Sequence, residues 1–433
     1  MSRLAISGGS KIRFKPFPKY NHIGKEEIAA VNNVLRSGKL SKFLAKWSDD
    51  FYGGPLVKNF ERGWAGTYKT RYAVSVNSAT SGLYAAIGAA GVGPGDEVIV
   101  SPFTMAASAT CVLIYNAIPV FADIQSDIFN MSPESIKDRI TPYTKAIVVV
   151  HIFGHPADMD PIMKIAKKHK LKVIEDCAQA PLTKYKGRYV GTIGDIGVYS
   201  LNYHKHIHTG EGGIVVTDNE KLYDRLTMIR NHGESAATTR GIEDIVDLLG
   251  FNYRLTEIQA AIGIEQMKKL PYLLKKGSEN AAYIAEKLGK LPGIIPPVIY
   301  KNCDHAYYVQ PFKYQRQILG ASRDSFIAAV KAELSLEDMV KNEGWFLSTG
   351  YSEPLYRQSL YQRKIAFGDK GCPFSCQYYK GRVSYQDGLC PVAERMYEQE
   401  IFFHNLFRPP LVKKDLDDVV NAFYKVYENR KQL

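Results

Sequence analysis

Short apolar runs alternate with segments of helical periodicity along this chain from about residue 72 onward. A short, nearly continuous apolar run between turn signals is typical of a strand that is buried on both faces, and alternation with helices indicates parallel βα units. We therefore predict an α/β protein with a large, mostly parallel sheet. Predicted strands cover residues 72–76, 98–100, 119–123, 145–151 and 172–176, and predicted helices cover residues 81–90, 105–116 and 158–169.

The pattern changes from about residue 266. Helical segments alternate there with weaker strand signals, such as residues 307–312, which is typical of an α+β arrangement. A chain of 433 residues also exceeds the size at which a single core stops growing. We therefore predict a large domain over residues 1–265, including the N-terminal segment, and a small C-terminal domain over residues 266–433.

Composition and charge narrow the class of protein. The chain is 45% hydrophobic and 23% charged, as in ordinary soluble proteins. The N-terminus lacks the apolar core of a signal peptide, so we expect a cytoplasmic protein. Pro and Asn interrupt the most apolar region, residues 98–122, so we expect no membrane span. The net charge of +12 is scattered and no nucleic-acid motif accompanies it, so anionic small ligands explain it as well as nucleic acid does.

The six cysteines do not form a recognisable metal motif. Cys372 and Cys376 have a C-x3-C spacing and Cys390 follows at a distance, but no fourth ligand stands at the spacing of a zinc finger. We expect reduced thiols in a C-terminal insertion and no metal.

The segment YSLNYHKHIHTGEGG contains the best candidate for a reactive residue, Lys205. A lysine amine becomes a nucleophile toward carbonyls in a suitable pocket, and Schiff-base chemistry with pyridoxal phosphate (PLP) uses such a lysine. Most lysines are merely solvated. Lys205 therefore needs partners at neighbouring strand ends, where ligands gather in open α/β sheets.

Three further segments could supply those partners. NSATSGL places Thr80 and Ser81 at a helix start, which suits a phosphate monoester or is a plain cap. VIEDCAQA ends a strand at Asp176, whose carboxylate could hold a pyridine nitrogen protonated or could cap the next turn, and Gln179 could point to the same place. In GFNYRLTEIQAAIG, Arg254 is an anion clamp or half of a surface ion pair.

These segments, taken together and in order, resemble the DegT/DnrJ/StrS family of PLP-dependent sugar aminotransferases. The resemblance covers roughly residues 10 to 430 and implies fold type I, the fold of aspartate aminotransferase, with a large mostly parallel α/β domain and a smaller α+β domain. The matching stretches are NSATSGL, GVGPGDEVIVSPFT, PVFADI, VVVHIFGHPADMD, VIEDCAQA, YSLNYHKHIHTGEGG, RNHG and GFNYRLTEIQAAIG.

The resemblance also implies roles for particular residues. Lys205 stands where the family bonds covalently to PLP, Asp176 where a carboxylate meets the pyridine nitrogen, and Gln179 near the phenolic oxygen. Asn252 stands where a residue reaches the phosphate across a dimer interface, which implies a homodimer with shared active sites. The positions that match phosphate contacts within the subunit are Thr80, Ser81 and Ser200.

Two departures from the family pattern concern the cofactor ring and the acceptor. Many relatives place an aromatic residue against the ring where this chain has Met105, so either Met105 packs there or nearby Phe103 substitutes. The segment 345–390 is longer and richer in cysteine than is expected of typical relatives. This difference affects the prediction of the amino acceptor more than any other part of the resemblance. Some family members carry histidine at the lysine position and act as dehydratases, whereas Lys205 here favours transamination.

We accordingly predict transfer of an amino group from L-glutamate to a keto sugar, nucleotide-linked or free, in amino-sugar or polysaccharide biosynthesis. The start LAISGGSKI resembles cyclitol and aminohydroxybenzoate-forming relatives, which leaves those acceptors open. A PLP-binding regulator without turnover is the alternative from another class. Further candidates for substrate contacts are Arg254, His305, Tyr351, Tyr356 and Arg408.

Overall fold

A seven-stranded sheet organises the first part of the chain. The computed structural model describes residues 3–243, 245–246, 248–336 and 347–433. The sheet has the order β1-β9-β8-β5-β4-β2-β3, and β9 runs antiparallel to both of its neighbours while the other pairs are parallel. Strands β6 and β7 form a separate hairpin. The strand bounds are Tyr72–Val76 (β1), Glu97–Val100 (β2), Ile118–Phe121 (β3), Thr144–Val150 (β4), Lys172–Asp176 (β5), Lys184–Tyr185 (β6), Arg188–Tyr189 (β7), Ile196–Ser200 (β8) and Gly213–Thr217 (β9).

Apolar layers cover both faces of this sheet. Val98 and Val100 of β2 pack into one layer, and Ile99 packs into the other. Burial on both faces is why these strands read as continuous apolar runs. The helices of this part are Lys25–Ser37 (α1), Pro55–Tyr68 (α2), Ala79–Ala89 (α3), Ala107–Leu113 (α4), Pro133–Asp138 (α5), Met159–His169 (α6), Glu220–Arg230 (α7), Ala237–Arg240 (α8) and Glu257–Leu288 (α9).

Helix α3 lies directly on the sheet. A Cβ atom on Gly82 would stand 2.9 Å from Cγ1 of Val198, so glycine permits the close approach of helix and strand. At the start of α3, Ser78 Oγ accepts a hydrogen bond from the backbone N–H of Ser81. The helix start is thereby fixed at the carboxyl edge of the sheet.

A second, antiparallel sheet organises the C-terminal part, with the order β10-β11-β13-β12. Its strands are Ile294–Ile295 (β10), Gln310–Tyr314 (β11), Leu347–Thr349 (β12) and Ile401–His404 (β13), and its helices are Arg316–Leu319 (α10), Arg323–Glu333 (α11), Ser359–Gln362 (α12), Pro391–Arg395 (α13) and Lys413–Glu428 (α14). Within the described ranges, none of the helices combines the length and the apolar character that crossing a bilayer requires.

The predicted α/β architecture is confirmed, with strand bounds that agree to within about two residues. The predicted helix over 105–116 is shorter, as α4, and the strand predicted from residue 307 begins at Gln310. The predicted domain boundary between residues 265 and 266 falls inside α9. The division into two domains stays a prediction, and contacts cross the boundary in several places.

Two of these contacts involve segments that pack away from their neighbours in sequence. Leu4 and Phe17 belong to the core of the second sheet, and Arg13 forms ion pairs with Asp415 and Asp418 of α14. Conversely, the segment 351–397 packs on the first sheet, where Tyr385 donates a hydrogen bond to the carbonyl of Pro119. The insertion noted in the sequence, whose first residues 345–346 lie outside the described residues, therefore covers the edge strand β3.

Candidate active site

A cleft of about 370 Å³ lies at the carboxyl edge of the first sheet. It is bounded by the start of α3, by the loop before α4, by the end of β5 and by the turn between β8 and β9. Six residues singled out in the sequence line it, namely Thr80, Met105, Asp176, Gln179, Ser200 and Lys205. Segments far apart in the chain thus meet around one space.

Asp176 ends β5 with its carboxylate at the cleft. The Ser108 hydroxyl donates to Oδ2 at 2.8 Å, and the backbone N–H of Ala178 donates to Oδ1 at 3.1 Å. Each carboxylate oxygen thus has a fixed donor and keeps a further lone pair. The side chain is nearly buried but lines the cleft, so it is oriented to accept a hydrogen bond from a cationic ring nitrogen.

The neighbouring carboxylate, Glu175, faces the opposite way. It accepts backbone N–H groups from Gly191, Ile193 and Gly194 and a hydrogen bond from Nε2 of His151 at 2.9 Å. Because Nδ1 of His151 accepts the N–H of Ala157, Nε2 carries the proton. His151, Glu175 and Cys177 stand close enough to suggest metal ligands, but the Glu175 oxygens are already engaged and the group serves to fasten the end of β5.

Gln179 is held in one orientation. Its Oε1 accepts the backbone N–H of Phe153 at 2.7 Å, so its amide nitrogen is the end that donates to the hydroxyl of Tyr351 at 2.6 Å. Burial raises the pKa of Tyr351, which therefore stays protonated. The second amide hydrogen of Gln179 remains available to a ligand in the cleft. Tyr351, which was predicted from the sequence as a substrate contact, thus helps to orient Gln179.

Thr80 and Ser81 at the start of α3 were equal candidates in the sequence, but the structure gives them different positions. The hydroxyl of Ser81 donates to Oδ1 of Asn77 and lies against Ser78 Oγ at 2.8 Å, inside the turn. Thr80 lines the cleft, whereas Ser81 does not. The first N–H groups of a helix have no partner within it, so the N-terminus of α3, with the Thr80 and Ser200 hydroxyls nearby, is suited to an anion.

Met105 and Phe103 occupy different layers. Met105 is 64% exposed and lines the cleft, whereas Phe103 is fully buried with its ring against Phe153 and Tyr351. Of the two candidates for a contact with a cofactor ring, the structure places Met105 in the cleft.

Four other predicted residues lie away from this cleft. The Asn252 side chain is exposed, and the Arg254 side chain donates to Oδ1 of Asn231 beside Arg230. His305 is buried against His155 and Tyr307 and borders a separate cavity. Tyr356 is fully buried and hydrogen-bonds Glu394 in the core. The structure therefore does not bring His305 or Tyr356 to the cleft as substrate contacts.

The turn that carries Lys205 is a tight loop between β8 and β9. The backbone N–H of Lys205 donates to the carbonyl of Asn202 at 2.9 Å, and the side chain of Asn202 donates to Glu211. Burial lowers the pKa of His206 to about 3, and burial also lowers the pKa of His204. The histidines that flank Lys205 are therefore uncharged at neutral pH.

Several lining residues were not singled out from the sequence. Tyr308 presents its ring to Lys205, with Nζ 4.2 Å from the ring centroid, and Ser108 orients Asp176. Tyr203, His204 and Glu211 complete the wall beside the lysine. Ser108 lies four residues after the matching stretch GVGPGDEVIVSPFT, and Tyr308 lies three residues after His305, but neither position carries a periodic signal for a site.

The fold and the cleft define a class: an amine, a fixed carboxylate and a helix start suited to an anion meet at the carboxyl edge of an open α/β sheet, as expected of an enzyme that acts on carbonyl compounds through an amine. The comparisons then name the family. The chain belongs to the DegT/DnrJ/EryC1/StrS aminotransferase family, whose sequence model matches residues 21–375.

Individual relatives agree over most of the chain. The spore coat polysaccharide biosynthesis protein SpsC of Bacillus subtilis (strain 168) is 34% identical over 84% of this chain and 89% of its own. The L-glutamine:2-deoxy-scyllo-inosose aminotransferase of Micromonospora echinospora is 32% identical over 100% of both chains. The crystal structure of S. venezuelae DesV in complex with a ketimine intermediate is 29% identical, with a TM-score of 0.76 over 93% of this chain and 94% of that one.

Proposed function

We propose that this aminotransferase uses PLP, bonded to Lys205, to move an amino group from L-glutamate or its amide L-glutamine to a keto sugar. The observation that carries the proposal is the convergence of Lys205, Asp176, Gln179 and Thr80 on one cleft. Each offers what a different part of PLP requires. A helix start suits the phosphate, a carboxylate suits the pyridine nitrogen, an amide N–H suits the phenolic oxygen and an amine suits the aldehyde.

PLP, when bound, supplies an electron sink for bonds at the amine-bearing carbon. The chain supplies position and proton transfer. Thr80, Ser200 and the N–H groups of α3 would hold the phosphate, and Asp176 would keep the ring nitrogen protonated. The amine of Lys205 would take the proton from Cα of the amino donor and would return a proton to the carbon that receives the amino group.

The covalent role of Lys205 has a direct test. After incubation with PLP and reduction by borohydride, mass spectrometry of peptides should find the pyridoxyl mass on Lys205, and Lys205→Ala should lose turnover. Lys221→Ala, at an exposed lysine on α7, is the matched control and should keep both properties. A Lys205→Ala enzyme that still transaminates would refute the assignment.

The acceptor and donor require a screen. SpsC is named for polysaccharide biosynthesis and the M. echinospora relative for amination of a cyclitol ketone with L-glutamine. We propose a keto sugar as the acceptor and a cyclitol ketone as the second candidate, because the cyclitol relative matches the whole chain. Each ketone should be assayed with glutamate and with glutamine as donor. A regulator that binds PLP without turnover would leave the cofactor absorbance unchanged with both donors.

We further propose a homodimer whose active sites are shared. Asn252 is exposed beside the start of α3, where its carbonyl accepts from the Asn77 side chain, and so it is free to reach the phosphate of a second subunit. Large apolar side chains are exposed on α1 and in the loop after it, at Ile28, Leu35, Leu40 and Leu44, as expected of a covered surface.

Subunit complementation tests the sharing. Lys205→Ala and Asn252→Ala should each be weakly active or inactive, whereas subunits mixed at a 1:1 ratio and allowed to exchange should recover about a quarter of the wild-type activity, because half of the dimers then contain one intact site. No recovery, with exchange verified by mass spectrometry, would show that each subunit builds its own site.

A further inference from the structure

Cations and aromatic rings alternate in a row that ends at Lys205. Nζ of Lys205 stands 4.2 Å from the ring centroid of Tyr308, and the guanidinium carbon of Arg408 stands 5.4 Å from the same centroid. Arg408 is also 5.4 Å from the ring centroid of Tyr20, which belongs to the N-terminal segment. These distances are within the range in which a ring face attracts a cation.

Arg408 fixes two points of this row at once. Its Nη1 donates to the carbonyl of His204 at 3.1 Å, and its Nη2 donates to the carbonyl of Tyr308 at 2.7 Å. The side chain is only 7% exposed. One rigid guanidinium thus connects the residue before Lys205 with the residue whose ring faces Lys205, which a lysine could not do with the same geometry.

The backbone after Lys205 is held as well. The hydroxyl of Tyr20 donates to the carbonyl of His206 at 3.0 Å, and Nε2 of His206 is 2.9 Å from the carbonyl of Ala306. The carbonyls on both sides of Lys205 are therefore fixed to residues that pack with the second sheet. The position of the lysine depends on this framework and not on its own turn alone.

We propose that Tyr308 is a positioning residue for Lys205: its ring face holds the free ammonium in the cleft, and Arg408 keeps that face in place. The proposal rests on Lys205 being the reacting amine. In the catalytic cycle the lysine alternates between a bonded and a free state, and a free flexible side chain without a partner would populate many rotamers. The ring limits this freedom without competing for the cofactor.

The ring also covers one side of the Lys205 amine, since Nζ stands 4.2 Å from the ring centroid. Cyanate must reach that amine to react with it, so the rate of carbamylation reports how firmly the side chain is held against the ring. We therefore measure carbamylation of Lys205 in the protein without PLP, by mass spectrometry at fixed pH, with exposed Lys221 of the same sample as the internal standard.

We expect Tyr308→Leu to carbamylate Lys205 about threefold faster than the wild type, as loss of a partly exposed cation–π contact implies. Tyr308→Phe keeps the ring and should stay near the wild-type rate. Tyr308→Met, whose unbranched side chain adapts to the space left by the ring, replaces the leucine variant if that variant does not fold. An unchanged rate in both Tyr308→Leu and Tyr308→Met, or an equal increase in Tyr308→Phe, would overturn the proposal.

The role of Arg408 is tested by non-additivity. Arg408→Lys retains the charge but loses the forked donation, so Lys205 should react faster, and the double variant with Tyr308→Leu should react no faster than Tyr308→Leu alone. Additive increases would show that Arg408 does not act through Tyr308. If Arg408→Lys does not fold, Arg408→Gln replaces it, with the same expected increase alone and the same absence of a further increase in the double variant.

These measurements are independent of the cofactor. Failure of Lys205 to take the pyridoxyl label would refute the proposed function and leave the carbamylation rates as they are. Equal carbamylation of wild type and variants, with the label still on Lys205, would refute only the role of Tyr308.

Discussion

His155 should make the folded protein sensitive to acid. Its ring is 2% exposed, and both nitrogens are engaged as in a neutral imidazole. Nδ1 lies 2.7 Å from the carbonyl of Pro156, to which it donates, and Nε2 accepts the backbone N–H of Tyr300 at 3.2 Å. A proton on Nε2 would face the N–H of Tyr300. Burial accordingly lowers the pKa of His155 to about 4.

The size of the effect follows from linkage. The pKa of histidine in an unfolded chain is about 6.5, so between that pH and about 4 the unfolded state binds a proton that the folded state does not. The contribution of His155 is therefore fully present above pH 6.5 and is lost as the pH falls toward 4. At about 1.36 kcal/mol for each pH unit the complete loss is on the order of 3 kcal/mol, and at pH 5 it is about 2 kcal/mol.

The assay compares His155→Gln with the wild type by urea denaturation at pH 7 and at pH 5, followed by fluorescence of the three tryptophans. The variant is expected to be less stable at pH 7 but to lose about 2 kcal/mol less on acidification. His169→Gln, at an exposed histidine, is the control and should follow the wild type. An identical loss in His155→Gln and wild type would refute the reasoning.

Three further predictions concern the site and its support. Asp176→Asn should fold normally and lose about 100-fold or more in kcat, since it removes a preorganised charge, as steady-state kinetics will show. Thr80→Ala should weaken PLP binding in a fluorescence titration, whereas Ser81→Ala should leave PLP affinity near that of the wild type, because only Thr80 lines the cleft. Gly82→Ala should lower the free energy of unfolding by about 1–2 kcal/mol, because the added Cβ would meet Val198, whereas Gly66→Ala in α2, where the Cβ meets nothing within 4 Å, should stabilise by up to about 1 kcal/mol in the same denaturation assay. Equal effects on PLP affinity at Thr80 and Ser81, or equal effects on stability at Gly82 and Gly66, would contradict the corresponding placements.

The strands of the first sheet were predictable because burial on both faces leaves a continuous apolar run, as in β4 and β5. Helix α9 was harder to recognise as one element. It contains Pro271, which usually marks a helix end, yet it continues to Leu288. Contacts formed far along the chain were not predictable at all: Tyr308 meets Lys205 across more than a hundred residues, and no local pattern records such a pairing.

The choice between His305 and Tyr308 shows the limit of sequence-based prediction at the scale of single residues. Both stand in the stretch HAYY, where Tyr307 has a positive φ of 52°, so the chain changes direction between them. His305 stacks on Tyr307 away from the cleft, and Tyr308 faces Lys205. Selecting the correct residue needed the direction of the chain, which the sequence motif does not contain.

The position of Lys205 follows from the direction of β9. Because β9 is antiparallel to β1 and β8, its first residue, Gly213, pairs with the last residues of both strands, Val76 and Ser200. The turn from β8 to β9 and the start of α3 must then lie on either side of one glycine. A Cβ atom on Gly213 would stand 2.7 Å from the backbone nitrogen of Ala79, so a larger residue would push the helix start away from the lysine turn. The distance between the start of α3 and the turn that carries Lys205 is therefore set by a hairpin and a glycine, which explains why the motif around Lys205 ends in TGEGG.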